Sequence, residues 1–253
     1  MIGSEHNTWG RPKKSARFLE QGILFVIGLL CGASFTAHAQ YYDDREFGSP
    51  ANRYISAGFM QRDFQPRSSN PNPDSLAVRY DRTMPMIGFR QGNFDISFGY
   101  AGYTLHGRSR STIFFGASFA NEFPVTGRER TGLLIPLVIS VDYTKAESAG
   151  PSRENFNIAS GGIGAGLKFR HHASNLDLWL QAVEIAHFST EGFSAGYGFS
   201  AATVGEAVLL LPRALVFDGV ALGYRFRLQT WSLNENRFNY RSFSHGPFVG
   251  VLF

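Results

Sequence analysis

Apolar and polar residues alternate with a period of two along most of the chain beyond residue 52. The clearest case is 219–230, GVALGYRFRLQT. There Val220, Leu222, Tyr224, Phe226 and Leu228 share one parity, and Ala221, Gly223, Arg225, Arg227 and Gln229 share the other. Successive side chains of a strand point to opposite faces, so this segment predicts a strand with one large apolar face and one small or charged face. Similar patterning predicts strands near 53–62, 76–90, 94–105, 112–122, 132–144, 155–170, 176–188, 199–211 and 241–253. The segment 132–144 sets Leu133, Ile135, Leu137, Ile139, Val141 and Tyr143 on one parity. In 176–188 the apolar parity shifts from Leu176, Leu178 and Leu180 to Val183 and Ile185, which predicts a bulge near Gln181 and Ala182; a short helix is the other reading of this stretch. Segment 199–211 alternates poorly.

Two environments fit such strands. In a water-soluble sandwich the apolar faces form a core and the charged faces meet water. In a transmembrane barrel the apolar faces meet lipid and the charged faces line a lumen. The N-terminal residues favour the second. Arg11, Lys13, Lys14 and Arg17 precede an apolar run, 22–32, too short to span a bilayer comfortably; Ala37 and Ala39 then supply the small residues of a signal-peptidase site, with Gln40 as first mature residue. The expected organisation is a cleavable signal peptide at 1–39, a flexible polar segment at 40–51 and one barrel domain at 52–253. The expected fold class is all-β, a transmembrane antiparallel up-and-down β-barrel of about ten strands, with eight to twelve possible.

Composition narrows the chemistry. Cys31 leaves with the signal peptide, so the mature chain carries no disulfide, thiolate metal site or cysteine nucleophile. Four of the 24 Lys+Arg and two of the 20 Asp+Glu lie in 1–39, which leaves 20 minus 18, or +2, and no basic run to suggest nucleic-acid binding.

The final strand ends Val249, Val251, Phe253 on one parity. In this the chain resembles bacterial outer-membrane β-barrel proteins, whose last strand commonly ends in Phe and acts as an assembly signal. Phe248 stands where that pattern has a glycine. The resemblance is one of architecture across the mature chain. It implies a location in the bacterial outer membrane after export through the periplasm, contact with membrane lipid and lipopolysaccharide, and handling by the barrel-assembly machinery, with Val251 and Phe253 as the signal.

On the faces opposite the apolar stripes, the candidate lumen charges are Arg79, Lys168, Arg170, Arg225 and Arg227 against Asp81, Asp95, Asp142, Asp177 and Glu184. A channel selective for one sign carries an excess of that sign. This balance points instead to ion pairs closing the lumen, with small residues such as Gly162, Gly164 and Gly166 leaving room for long side chains. The expected role is non-enzymatic, as a structural, adhesive or narrow-channel protein; a small-solute pore is the transport alternative. Neither oligomeric state nor ligand follows from the sequence.

One pair suggests chemistry. His187 and Ser189 sit at the end of the seventh strand on the parity of Val183 and Ile185, which would aim them at lipid. An imidazole beside a serine hydroxyl can accept its proton. The pair resembles the His-x-Ser of outer-membrane lipid A deacylases, which implies acyl hydrolysis, although Thr190 stands where those enzymes carry Asn. The adjacent His171 and His172 point to opposite faces of a strand and make a poor chelate, so no metal and no cofactor are expected.

Overall fold

The computed structural model describes residues 53–67, 79–105, 108–128, 130–147, 155–191, 196–213, 218–233 and 239–253. The cleavage site expected at Ala37, Ala39 and Gln40, the segment 40–51 and the start of the strand expected from 76 lie outside these residues. The described elements are ten strands: β1 (Arg53–Pro66), β2 (Tyr80–Gln91), β3 (Phe94–Leu105), β4 (Arg108–Arg128), β5 (Thr131–Ala146), β6 (Phe156–Ala173), β7 (Leu176–Glu191), β8 (Gly196–Pro212), β9 (Gly219–Leu233) and β10 (Tyr240–Leu252). Each pairs antiparallel with its sequence neighbours, and β1 pairs with β10, so the sheet is a closed up-and-down barrel. The closing register sets Ile55 against Val251 and Ala57 against Val249. Closure leaves no edge strand exposing unpaired backbone groups.

The two ends differ. The strand connections at 92–93, 129–130, 174–175 and 213–218 define a turn end, where Arg53 and Phe253 also lie. The connections at 67–79, 106–107, 147–155, 192–195 and 234–239 define a loop end.

The outer wall is apolar apart from scattered polar side chains such as Glu184. Phe59, Ile87, Ile139, Ile163, Leu222 and Val249 are all exposed, Ile163 at 70% of its surface. Aromatic side chains mark both margins of this belt: Phe188, Tyr197 and Phe199 group on the outer face near the loop end, and Phe89 stacks on Phe253 at the turn end with centroids 6.2 Å apart. A wall that stays apolar on a closed barrel matches a hydrocarbon surround with interfacial aromatic girdles.

Three sequence expectations change. First, β7 pairs residue for residue with β6 and β8 from end to end, so there is no bulge at Gln181 and Ala182 and no helix. Trp179, Val183 and Ile185 point inward and Leu178, Leu180 and Phe188 outward. Both faces of β7 are apolar in places, which mimics a shift of parity. Second, the register shift lies in β4, between Pro124 and Thr126. Third, Tyr80 is buried inside the barrel rather than on its wall, which reverses the faces expected for β2.

Close approach of β6 and β7 requires glycine. A Cβ on Gly166 would fall 1.9 Å from the Ala182 carbonyl oxygen, whereas one on outward-facing Gly161 would come no nearer than 3.9 Å to any neighbour, Val141 Cγ1. Gly166→Val is therefore expected to destabilise the barrel by about 1–3 kcal/mol. Gly161→Ala is expected to stay within about 0.5 kcal/mol of the parent. Urea unfolding in detergent micelles measures both.

Candidate functional site in the barrel lumen

The lumen is layered from end to end. At the loop end, inward-pointing aromatics from several strands meet across the barrel. Phe64 of β1 stacks on Tyr240 of β10 (centroids 5.1 Å) and meets Phe156 of β6 edge-on (4.7 Å); Phe156 also meets Trp231 of β9 (5.2 Å). Tyr80 and Tyr103 extend the layer across β2 and β3 (5.1 Å). Phe64, Phe156, Trp231 and Tyr240 are all buried, and they belong to one cluster with Ile158 and Leu233. Each favourable aromatic pair adds about 0.5–1.5 kcal/mol beyond its burial. At the turn end, Tyr54, Trp179, Val208, Leu210, Ala221 and Leu252 form a second apolar cluster. Just past β5, Glu147 accepts hydrogen bonds from the Ser111 backbone N–H (2.8 Å) and Lys145 Nζ (3.0 Å). Partial burial alone would raise its carboxyl, but these donors outweigh it and hold the group below the usual carboxylate range.

Between the two apolar layers lie the charges. Arg90 of β2 and Arg225 of β9 share two carboxylates. Arg90 Nη2 lies 2.9 Å from Glu206 and 3.0 Å from Asp95; Arg225 Nη2 lies 2.6 Å from Glu206 and 3.0 Å from Asp95. The quartet ties β2, β3, β8 and β9 together across the lumen. Arg90 also stands over the Trp179 ring at 4.5 Å, and Lys168, paired with Glu122 at 2.6 Å, stands over the same ring at 4.7 Å. Nearer the loop end, Asp142 accepts from Arg227 Nη2 (2.6 Å) and Gln229 Nε2 (3.2 Å).

The expected lumen residues divide accordingly. Asp95, Asp142, Lys168, Asp177, Arg225 and Arg227 all point inward, and Asp177 meets His172 Nδ1 near the β6–β7 turn. Arg170 lies on the parity of Lys168, closer to that turn and half-buried. Three residues are corrected. Glu184 is on the outer wall, where its carboxylate accepts from Thr203 Oγ1 at 2.6 Å; without a bulge in β7 its parity is outward. Asp81 is also exposed on the outer face, accepting from Gln61 Nε2 at 2.7 Å, and Arg79 is exposed just ahead of β2. Inward-facing Tyr80 accounts for both. The sequence reading missed Arg62, Arg90, Glu122 and Glu206. Parity alone already placed Arg62 opposite Phe59, and the reversed faces of β2 concealed Arg90. Glu206 lies on β8, whose two faces are both rich in small and apolar residues.

His187 and Ser189 are inside, not toward lipid. His187 is 1% exposed. Its Nε2 lies 2.9 Å from Ser140 Oγ and 3.3 Å from Asp142 Oδ2, while the Ser189 hydroxyl donates to Ser160 Oγ (2.8 Å) and lies 2.9 Å from Ser200 Oγ. The pair expected to act together is thus divided between separate hydrogen-bond groups. Ser140, His187 and Asp142 do come together, but hydroxyl and carboxylate meet the same ring nitrogen. A catalytic triad needs the carboxylate on Nδ1, so that Nε2 can take the serine proton. His171 meets Thr131 Oγ1 at 2.8 Å and His172 meets Asp177, so the two adjacent histidines serve different partners.

No family model and no curated protein matches the chain. Similarity among solved structures extends to neisserial surface protein A, with 13% identity over 81% of this chain and 100% of that one and a TM-score of 0.33. It also extends to the outer membrane protease OmpT from Escherichia coli, with 8% identity, 78% and 95% coverage and a TM-score of 0.36. A third such structure is the β-domain of the Bordetella autotransporter BrkA, with 13% identity, 81% and 100% coverage and a TM-score of 0.31. At these scores no property passes from those proteins to this chain, and the fold rests on the closed barrel itself.

Removing one member of the quartet leaves buried charge uncompensated. Arg225→Met, which leaves Asp95 and Glu206 to share Arg90, is expected to cost about 3–5 kcal/mol. Combining it with Glu206→Leu, which restores neutrality, is expected to recover most of that loss. A double-mutant cycle of urea unfolding measures the coupling.

Proposed function

We propose that this chain is an integral barrel of a bacterial outer membrane, exported with 1–39 as its cleaved leader, with a structural or adhesive role and a lumen that does not conduct solutes. The observation that carries the reading is the pairing of an apolar outer wall with a lumen that is charged at mid-height and covered by the Phe64, Phe156, Trp231 and Tyr240 layer. Lipid is the surround that makes the outer wall favourable, because the same wall in water exposes a contiguous apolar belt. In this reading the turn end faces the periplasm and the loop end faces outward, where the loops offer the contact surface. Lipopolysaccharide and outer-membrane lipid are the immediate partners, and the assembly machinery recognises the strand ending in Val251 and Phe253. A pore needs a continuous polar path, and the aromatic layer interrupts it. Lipid A deacylation needs His187 and Ser189 to act together on a lipid-facing wall, and the lumen geometry gives that reading no support.

The folded protein in detergent is expected to run at a different apparent mass before and after boiling; a water-soluble monomer with no shift overturns the membrane reading. In planar bilayers the purified barrel is expected to give no stepwise conductance, whereas discrete openings would restore the pore. Mass spectrometry of lipid A from cells with and without the protein is expected to show unchanged acylation.

A further inference from the structure

Among the described residues, the charges around the central cavity leave one cation over. Arg62, Arg90, Lys168, Arg225 and Arg227 face Asp95, Glu122, Asp142 and Glu206. Each of these four carboxylates is paired with one or more of the other four cations, and no described carboxylate lies within ion-pair distance of Arg62. Arg62 is 3% exposed. Nε donates to Ser242 Oγ at 3.1 Å and Nη2 to Thr144 Oγ1 at 3.4 Å, while Nη1 is buried without a hydrogen-bond partner among the described residues. The Phe64 and Phe114 rings flank it, each 5.7 Å from Arg62 Cζ. A buried guanidinium with an unused donor and no counter-charge is costly unless something fills the place.

Space is available beside it. A cavity of about 100 Å³ is lined by Arg62, Arg227, Gln229, Ser242 and Ser244 at its upper part and runs down to Gly92 and Asn93, which are exposed at the β2–β3 turn. The aromatic layer closes the lumen above Arg62. The cavity is therefore a well closed toward the loop end and extending toward the turn end. Its volume suits a small ion with a few waters and excludes a sugar or an acyl chain.

We propose that the blind end of this well binds one small monovalent inorganic anion of the halide class, with Arg62 as its principal ligand. Arg227, whose guanidinium stands over the same Phe114 ring at 5.5 Å, adds positive field there, and the Ser242 and Ser244 hydroxyls line the space. A guanidinium is weakly hydrated and gives up water to such an ion readily. Asp142, paired with Arg227, disfavours a dianion, and the single surplus charge matches a monovalent one. The proposal rests on the lumen geometry and is independent of which membrane surrounds the barrel.

The test uses the full chain refolded in detergent, with sodium bromide replacing sodium gluconate at constant ionic strength. The thermal midpoint is expected to rise saturably with bromide. Arg62→Gln should lose that dependence, while Arg241→Gln, a change on the exposed outer wall, should keep it. A parent protein indifferent to bromide, or an Arg62→Gln variant that responds as the parent does, overturns the site. If Arg62→Gln does not fold, anomalous diffraction from bromide-soaked crystals of the parent decides. A bromide peak in contact with the Arg62 guanidinium supports the proposal, and its absence there overturns it.

Discussion

The hydrogen-bonded closure of β1 onto β10 is the constraint on which the rest depends. Once the sheet is closed, each strand side chain has two destinations, the wall or the lumen, and alternate residues take them in turn. The wall accepts any large apolar side chain. The lumen has a small volume that buries what enters it, so a polar group placed there is costly without a partner. The Arg90, Arg225, Asp95 and Glu206 quartet answers that need with four side chains from four strands.

Layering follows from the same economy of space. Charges collect at mid-height, where carboxylates and guanidiniums from opposite walls reach one another. Apolar and aromatic side chains collect at the two ends, with Phe64, Phe156, Trp231 and Tyr240 above and Trp179, Leu210 and Leu252 below. Trp179 joins the layers, since Arg90 and Lys168 both stand over its ring. Glycines such as Gly166 let β6 and β7 approach where a side chain would strike backbone. Among the described residues, the lumen is thus a packed core with a central ionic layer and a small well of about 100 Å³.

Much of the architecture was legible along the chain. About ten strands, their up-and-down order and most of their faces follow from the period-two pattern, because a barrel strand separates two unlike environments over its whole length. The reading failed where that contrast failed. On β7 the inward residues Trp179, Val183 and Ile185 are as apolar as the outward leucines, so a straight strand resembled a bulged one. The false bulge then sent Glu184 to the lumen and His187 and Ser189 to lipid. On β2, Tyr80 alternates with the charged Arg79 and Asp81, which points it to the wall, although an aromatic residue serves equally well as a lumen cap. That one choice reversed the strand, admitted Asp81 to the lumen and left out Arg90.

The amino-acid sequence by itself determined the all-β class, an approximate strand number and the two-faced character of most strands, because alternation is a local property that needs no partner to be expressed. Which charges meet was decided by tertiary structure alone. Arg90 and Glu206 are far apart along the chain, and their contact depends on the curvature and stagger of a closed sheet. The same holds for Arg62. Its parity was written in β1, but its lack of a counter-charge among the described residues is set by what the other nine strands bring to its level.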